Sequence, residues 1–136
     1  MTYVSSATRL LEQVELTQLL GSSRVNNERD EITGMLLYKD GNFIQTVEGR
    51  EDAVDQLQQR LVGDSRHAGM FVLLDGLREE RLFDGWTMGF RDLSGDAASD
   101  VPGYSEFLTT PFTAEAFGED PEASQRLLLS FKRNMR

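Results

Sequence analysis

The sequence lacks cysteine and has a single histidine, His67, among its 136 residues. Without cysteine the chain can form no disulfide bond, no thiolate nucleophile and no cysteine-ligated metal centre. One histidine also excludes a multi-histidine metal site within a single chain. We therefore expect no bound metal.

Basic residues are scarce as well. The 14 lysines and arginines stand against 23 aspartates and glutamates, which gives a net charge of −9 and a pI near 4.6. Affinity for nucleic acid depends on clustered basic side chains that displace counterions from phosphates. Nucleic acid is therefore not an expected partner, and we attribute the acidity to solubility.

Long apolar runs are also missing. No run approaches the roughly 20 residues that cross a bilayer, and no basic, apolar signal segment opens the chain. We therefore expect no membrane association and a cytoplasmic location. The hydrophobic share of 39% is typical of a soluble globular protein, and the length suits one domain with a substantial core.

The spacing of the apolar residues predicts the element order β-α-β-β-α-β-β. Continuous or alternating apolar runs favour strands, whereas apolar residues three or four positions apart favour helices. Asp40 and Gly41 are a hairpin-turn signal. The prediction is an α+β, ferredoxin-like sheet with two helices on one face. The predicted strands cover 1–7, 34–38, 43–47, 70–74 and 86–90, and the predicted helices cover 11–26 and 51–62.

The composition changes after the last predicted strand. Residues 1–93 form the predicted domain, and residues 94–136 form a C-terminal helical extension that is too short for a second domain. Asp120 and Pro121 suit the N-cap and first turn of a helix. We expect this helix to pack on the sheet or on another chain. Its apolar face consists of Leu127, Leu128 and Phe131.

Two amide side chains occupy positions where solubility does not require them. Asn27 stands just before one predicted strand, and Gln45 lies in the middle of the next. An amide is both donor and acceptor, so it can bind the edge of a heteroaromatic ring. The residues alone leave other interpretations open. Gln45 suits the solvent face of a half-buried sheet, and Asn27 suits a helix C-cap or a turn.

Six short motifs in a fixed order resemble the BLUF family of flavin-binding blue-light sensors. The resemblance covers Thr2 to about Leu93, and the tail resembles that of short, stand-alone BLUF proteins without an effector domain. The matching pieces are Tyr3-Val4-Ser5, Asn27 with Ile32-Thr33-Gly34, Met35-Leu36-Leu37-Tyr38, Phe43-Ile44-Gln45 with Glu48-Gly49, Asp64-Ser65-Arg66-His67 and Trp86-Thr87-Met88.

The resemblance implies a role for each matching residue. The flavin ring would lie between the two helices that cover the sheet. Tyr3 would be the photo-oxidised donor of an electron and a proton, and Gln45 would stand between its hydroxyl and flavin N5 and O4. Asn27 would bind the pyrimidine edge of the ring. Trp86 and Met88 would belong to the strand that adjusts the Gln45 pocket.

Four basic residues are further candidates for the flavin site. Arg66 and His67 match the family's Arg-His pair near the flavin, and a solvated loop is the alternative. Arg24 and Arg29, near the end of the first predicted helix, are candidates for flavin phosphate. A favourable contact with the C-terminal helix dipole is the alternative for both arginines.

The ends of the predicted sheet leave two questions open. Trp86 and Met88 are spaced to share one strand face, and core packing is an adequate reason for either; the direction of Trp86 stays open. Only two residues precede Tyr3. We therefore expect an unusually short first strand: either the start of the chain is missing or misassigned, or Tyr3 is anchored weakly. Tyr3 also suits an ordinary strand aromatic.

The resulting hypothesis is a blue-light photoreceptor that turns over no substrate. FAD is the first choice of cofactor, with FMN and riboflavin as alternatives. By analogy with short BLUF proteins we expect a homo-oligomer and an unknown downstream signalling protein. The competing hypotheses are a hydrolase of the acylphosphatase type and a flavin-free interaction domain. No phosphate-cradling glycine loop lies beside an arginine, and His67 has no recognisable Ser or Cys nucleophile.

Overall fold

The structure is a computed structural model that describes residues 1–8, 12–65, 67–93 and 112–134, without the side chains of residues 13, 67, 92 and 131–134. Arg66 and residues 94–111, the start of the predicted C-terminal extension, lie outside the described residues. The elements are β1 Thr2–Ala7, α1 Gln13–Asp30, β2 Thr33–Lys39, β3 Asn42–Glu48, α2 Glu51–Val62, β4 His67–Leu74, β5 Gly89–Asp92, α3 Ala114–Phe117 and α4 Glu122–Asn134.

The five strands form one mixed sheet in the order β4-β1-β3-β2-β5. β1 pairs antiparallel with both β3 and β4, β2 pairs antiparallel with β3, and β5 pairs parallel with β2. The β2–β3 hairpin turns at Asp40 and Gly41, whose φ angles are 51° and 83°. Positive φ at both central residues is the geometry that favours this dipeptide in a two-residue hairpin. The predicted hairpin is confirmed.

Strand alternation divides the core into two layers. Odd-numbered residues of β1 and β3 face α1 and α2, where Leu16, Leu20 and Ala53 pack against Phe43 and Val47. This arrangement confirms the predicted α+β sheet with two helices on one face.

The other face of the sheet is covered by the C-terminal helices. Leu127 and Leu128 of α4 are fully buried in one cluster with Met35, Leu37 and Ile44 of the sheet. Burial of a leucine side chain contributes about 1.5–3 kcal/mol. The apolar face predicted for this helix therefore packs on its own sheet, and the side chain of Phe131 lies outside the described part.

The first helix departs from the predicted pattern. α1 runs from Gln13 to Asp30 and ends at Glu31, which adopts the left-handed conformation with φ 57°. The apolar residue Val14 is 65% exposed, whereas Leu16 and Leu20 are buried. Residues two positions apart on a helix point in different directions, so Val14 and Leu16 cannot both face the sheet.

The last strand begins three residues later than predicted. β5 covers Gly89–Asp92, so the prediction of a strand over 86–90 is wrong for Trp86 and Met88. A turn precedes the strand because the Trp86 amide donates to Phe83 O at 3.0 Å. Trp86 O then accepts from Gly34 N at 2.9 Å, and the chain reaches the edge of β2 only afterwards.

The first strand is held more firmly than expected. β1 has six residues and lies inside the sheet. Tyr3 pairs with Gln45 on one side and with Val72 on the other, and it is 3% exposed. The expectation of a short strand that anchors Tyr3 weakly is therefore wrong, because ladders on both sides fix this strand.

The helices carry no membrane-crossing segment within the described ranges. None of them combines the length and the apolar character that a bilayer span requires. In the same ranges no group of three or more histidine, aspartate or glutamate side chains is arranged to hold a metal ion.

Candidate functional site

A cavity of about 200 Å³ lies over the sheet between α1 and α2. Its floor combines aromatic and aliphatic side chains with Gln45, and its walls carry hydroxyl, amide and charged groups. Such a mixture suits a flat apolar ligand with polar edges. The lining residues are Tyr3, Ser5, Leu36, Phe43 and Gln45 of the sheet, Leu19, Ser22, Ser23, Asn26 and Asn27 of α1, Leu57, Arg60 and Leu61 of α2, and Asp64.

Tyr3 and Gln45 meet on the floor of this cavity as a cross-strand pair. The Tyr3 hydroxyl donates to Gln45 Oε1. Burial, and to a lesser extent the nearby negative charge of Asp64, raise the pKa of the Tyr3 phenol well above its usual value. The phenol therefore stays neutral and protonated, as a fixed donor to the amide.

The other end of the Gln45 amide contacts Met88. Gln45 Nε2 donates to Met88 Sδ at 3.2 Å, and both residues are buried. A thioether sulfur is a weak acceptor, whereas a phenol both donates and accepts. Rotation of the amide would therefore cost only the weak contact between Gln45 Nε2 and Met88 Sδ. The Tyr3 hydroxyl would then accept from Nε2 instead of donating to Oε1.

Asn27 lies inside α1 rather than at its cap, because the C-cap is Glu31. Asn27 is 2% exposed, and its Nδ2 donates to Thr87 O at 2.8 Å. Its Oδ1 has no hydrogen-bond partner among the described residues. An unsatisfied buried acceptor costs about 1–3 kcal/mol. The oxygen of this cavity-lining amide thus favours a ligand that brings an N–H or O–H donor.

Trp86 and Met88 lie on opposite faces of the sheet. Met88 packs in the layer of α1 and α2, whereas Trp86 packs against the layer of α3 and α4. The indole covers Gly89, where an added Cβ would lie 2.3 Å from Trp86 Cε3. The expectation that both side chains share one strand face is wrong, since neither residue belongs to the strand and the turn at 83–86 directs the indole away from the cavity.

The four predicted basic residues are placed differently. Arg24 Nε donates to Met88 O at 3.1 Å, and Arg29 Nε pairs with Asp30 Oδ1 at 3.0 Å. Neither arginine lines the cavity. His67 begins β4 and its backbone pairs with Ala7. The side chain of His67 and all of Arg66 lie outside the described residues, so their proximity to a flavin stays a prediction.

Residues 1–89 match the family model BLUF, described as sensors of blue light using FAD. The chain belongs to the BLUF family. The matched range contains Tyr3, Asn27, Gln45 and Met88, which the cavity and its floor bring together.

The chain is also similar in sequence to proteins of known function. The chain is 35% identical over 89 residues to the photoactivated adenylate cyclase subunit beta of Euglena gracilis, and the match covers 65% of this chain. It spans only about 10% of that relative. The cyclase named in the relative is therefore not carried over to this BLUF chain.

Solved structures match the fold. BlrB, a BLUF protein in its dark state, is 28% identical with a TM-score of 0.75, and the match covers 96% of this chain and 93% of BlrB. Klebsiella pneumoniae BlrP1 with FMN and cyclic diGMP is 30% identical with a TM-score of 0.62, over 67% of this chain and 24% of BlrP1.

Membership of the BLUF family decides between the hypotheses from sequence. The family consists of blue-light sensors that bind flavin. The main interpretation, a blue-light sensor, is favoured over a hydrolase of the acylphosphatase type.

Several lining residues of this BLUF cavity were not identified from sequence. Ser5 lies two positions after Tyr3, so strand alternation puts both on the same face. Asn26 lies three and four positions after Ser23 and Ser22, which is the spacing of neighbours on a helix surface. These signals are present in the sequence. Arg60 lines the cavity and its Nη2 reaches Asp30 Oδ2 at 3.4 Å, a contact with no local sequence signal.

Proposed function

We propose that this BLUF chain senses blue light through a flavin held between α1 and α2, and that Tyr3 and Gln45 carry its photochemistry. The observation that supports the proposal most is the buried series of contacts from Tyr3 and Gln45 on the cavity floor to Met88 beside them. One amide side chain, whose donor and acceptor ends can exchange by rotation, thus contacts a protonated phenol at one end and a weak thioether acceptor at the other.

The side chains around the cavity fit a flavin. Asn27 would hold the pyrimidine edge of the ring, because its Oδ1, which has no partner among the described residues, can accept from the ring N–H. Leu36, Phe43 and Leu57 would contact the flat faces of the ring. A bound flavin absorbs blue light and becomes a strong one-electron oxidant. Each of the other steps in the proposal belongs to the protein's own residues.

Tyr3 would supply an electron together with its hydroxyl proton to the excited ring and would take both back once the Gln45 amide has changed, so that no net oxidation remains. Its raised pKa keeps the proton on the phenol oxygen until the electron leaves. Gln45 would then reorient or tautomerise, so that donor and acceptor ends of its amide exchange. Each bond involved is worth about 0.5–1.5 kcal/mol net, and about 1.4 kcal/mol changes a population ratio tenfold. Exchanging one or two hydrogen bonds of the Gln45 amide is therefore enough to shift the ratio of the dark state to the lit state.

We propose FAD as the cofactor, in line with the description of the family; FMN or riboflavin is the alternative. The hydroxyls of Ser22 and Ser23 suit the polyol of a flavin tail, and Arg60 suits a phosphate better than Arg24 or Arg29, because Arg60 lines the cavity. Arg60 would then have to leave Asp30 and bind the phosphate instead.

The biological setting is proposed by analogy with short BLUF proteins. We propose a cytoplasmic homo-oligomer that changes its contacts with a downstream signalling protein in the light. The C-terminal helices, which pack on the face that also carries Trp86, are the candidate output surface.

Spectroscopy of the purified chain tests the proposal. The chain should be yellow or should become yellow on reconstitution with FAD, and blue light should shift its spectrum slightly to the red with slow thermal return. A chain that takes up none of FAD, FMN and riboflavin would contradict it. Hydrolysis of an acyl phosphate by the same sample would support the hydrolase instead.

A further inference from the structure

Glu48, the last residue of β3, binds the loop that precedes β5. Its Oε1 accepts from Leu82 N at 2.9 Å and its Oε2 accepts from Phe83 N at 3.4 Å. One carboxylate thus receives two successive backbone N–H groups. Hydrogen bonds to a charged group are stronger than those between neutral groups, so this contact fixes the start of the loop.

The same loop is fixed at its other end by the same strand. Met88 Sδ accepts from Gln45 Nε2 at 3.2 Å, and Gln45 lies three residues before Glu48 on β3. The two contacts close residues 45–48 and 82–88 into one ring of covalent and hydrogen bonds. The distance of Met88 from Gln45 therefore depends on where Glu48 holds the loop.

Further contacts leave this ring little freedom. Phe83 is fully buried in the core layer of α3 and α4, and Trp86 O accepts from Gly34 N at 2.9 Å. From the other side of the sheet, Asn27 and Arg24 donate to the carbonyl oxygens of residues 87 and 88. The loop crosses from one face of the sheet to the other between Trp86 and Met88, and Glu48 holds its entry.

We propose that Glu48 is a positioning residue for the light switch: by holding Leu82 and Phe83, it keeps the Met88 sulfur against the Gln45 amide in the dark state. This inference rests on the proposed function of Gln45. When light reorients the amide, the Met88 side chain loses its contact with Gln45, while the backbone of the loop stays bound at Glu48. The tether then returns Met88 to Gln45 and speeds recovery of the dark state.

The test uses Glu48→Ala and Glu48→Gln, with Glu79→Gln as the matched control, since Glu79 is an exposed residue of the loop before Leu82. The first readout is acrylamide quenching of Trp86 fluorescence in the flavin-free chain, where Trp86 is the sole tryptophan. The second is the dark-recovery rate of the flavin-loaded chain.

We expect Glu48→Ala to raise Trp86 quenching about twofold and to slow recovery about fivefold, because it removes both acceptor oxygens that hold the loop. Glu48→Gln should give an intermediate rate, because its amide keeps one acceptor oxygen, and it serves as the main variant if Glu48→Ala does not fold. Glu79→Gln should change neither readout.

Two results would overturn the inference. Unchanged quenching in both Glu48 variants would mean that the carboxylate does not hold the loop. Increased quenching with unchanged recovery would mean that the contact is structural only. If the wild-type chain binds no flavin, the proposed function fails by itself, and quenching alone then decides whether Glu48 holds the loop.

Discussion

The two faces of the sheet bury side chains of different chemistry. The face under α3 and α4 buries mainly apolar side chains, and its buried hydroxyls have hydrogen-bond partners. Thr2 and Thr46 share a 2.6 Å hydrogen bond, and Ser124 and Ser130 donate to backbone carbonyl oxygens. The face under α1 and α2 buries Gln45 and Asn27, and one amide oxygen there has no partner among the described residues. The buried amide oxygen that the described residues leave without a partner therefore lies on the side of the cavity.

This difference separates stability from function. An unsatisfied buried polar group lowers stability, so its presence beside a cavity indicates a ligand that supplies the missing partner. The apolar face has no such deficit and accounts for much of the hydrophobic stabilisation. Substitutions on the two faces should therefore differ in which property they change.

The largest expected effect is on the apolar face. Leu127→Ala should lower the free energy of unfolding by about 2–5 kcal/mol, because it leaves a cavity in the core. Urea denaturation of the flavin-free chain measures this loss. Leu77→Ala is the control, since Leu77 is 91% exposed. Equal midpoints for the two variants would show that α4 does not stabilise the sheet.

A smaller effect is expected for flavin affinity on the cavity face. Asn27→Ala should weaken FAD binding about tenfold, because it removes one hydrogen bond from a buried edge of the ligand. Trp86→Ala should leave the affinity within about twofold, since Trp86 packs on the far face, and should change recovery instead. Titration of each variant with FAD gives the two constants. A Trp86→Ala chain that loses flavin altogether would contradict this division of the faces.

The smallest effect concerns pH. Burial raises the pKa of Tyr3 in the folded state, so stability from this group is fully present below the unfolded pKa of about 10 and is lost as pH rises through the folded pKa. We expect no change in red-shift amplitude between pH 6 and about 9, and an extra loss of stability only above pH 10. Light-minus-dark spectra across this range, with denaturation midpoints of wild type and Tyr3→Phe, test the expectation. An amplitude that titrates near neutral pH would show that Tyr3 is not the neutral donor described above.

Local signals predicted much of the fold. Asp40-Gly41 determined the hairpin because its dihedral angles are a property of those two residues. The pairing of Gln45 with Tyr3 was implied only by the family resemblance, and the sheet register shows it. The start of β5 could not be predicted, since it depends on the pairing of Trp86 O with Gly34 N, which are 52 positions apart in the chain. The sequence of residues 86–90 is as typical of a strand as of the turn and short strand that the structure has.

The candidate site was predicted unevenly for the same reason. Motif spacing identified Tyr3, Asn27 and Gln45, whereas the direction of Trp86 depends on the turn at 83–86 and on space above Gly89. Arg60 and Glu48 act through contacts with distant parts of the chain. In both cases the partner is chosen by tertiary packing, and no residue near them in the sequence signals it.

The most direct test of the central claim is the light-minus-dark spectrum of Tyr3→Phe reconstituted with FAD. The variant retains the ring that packs on the cavity floor and loses only the hydroxyl that donates to Gln45 Oε1. We predict that it binds FAD, stays yellow and shows no red shift under blue light. A normal, reversible red shift in Tyr3→Phe would contradict the account, because the phenol would then be neither the donor nor the partner of the Gln45 switch.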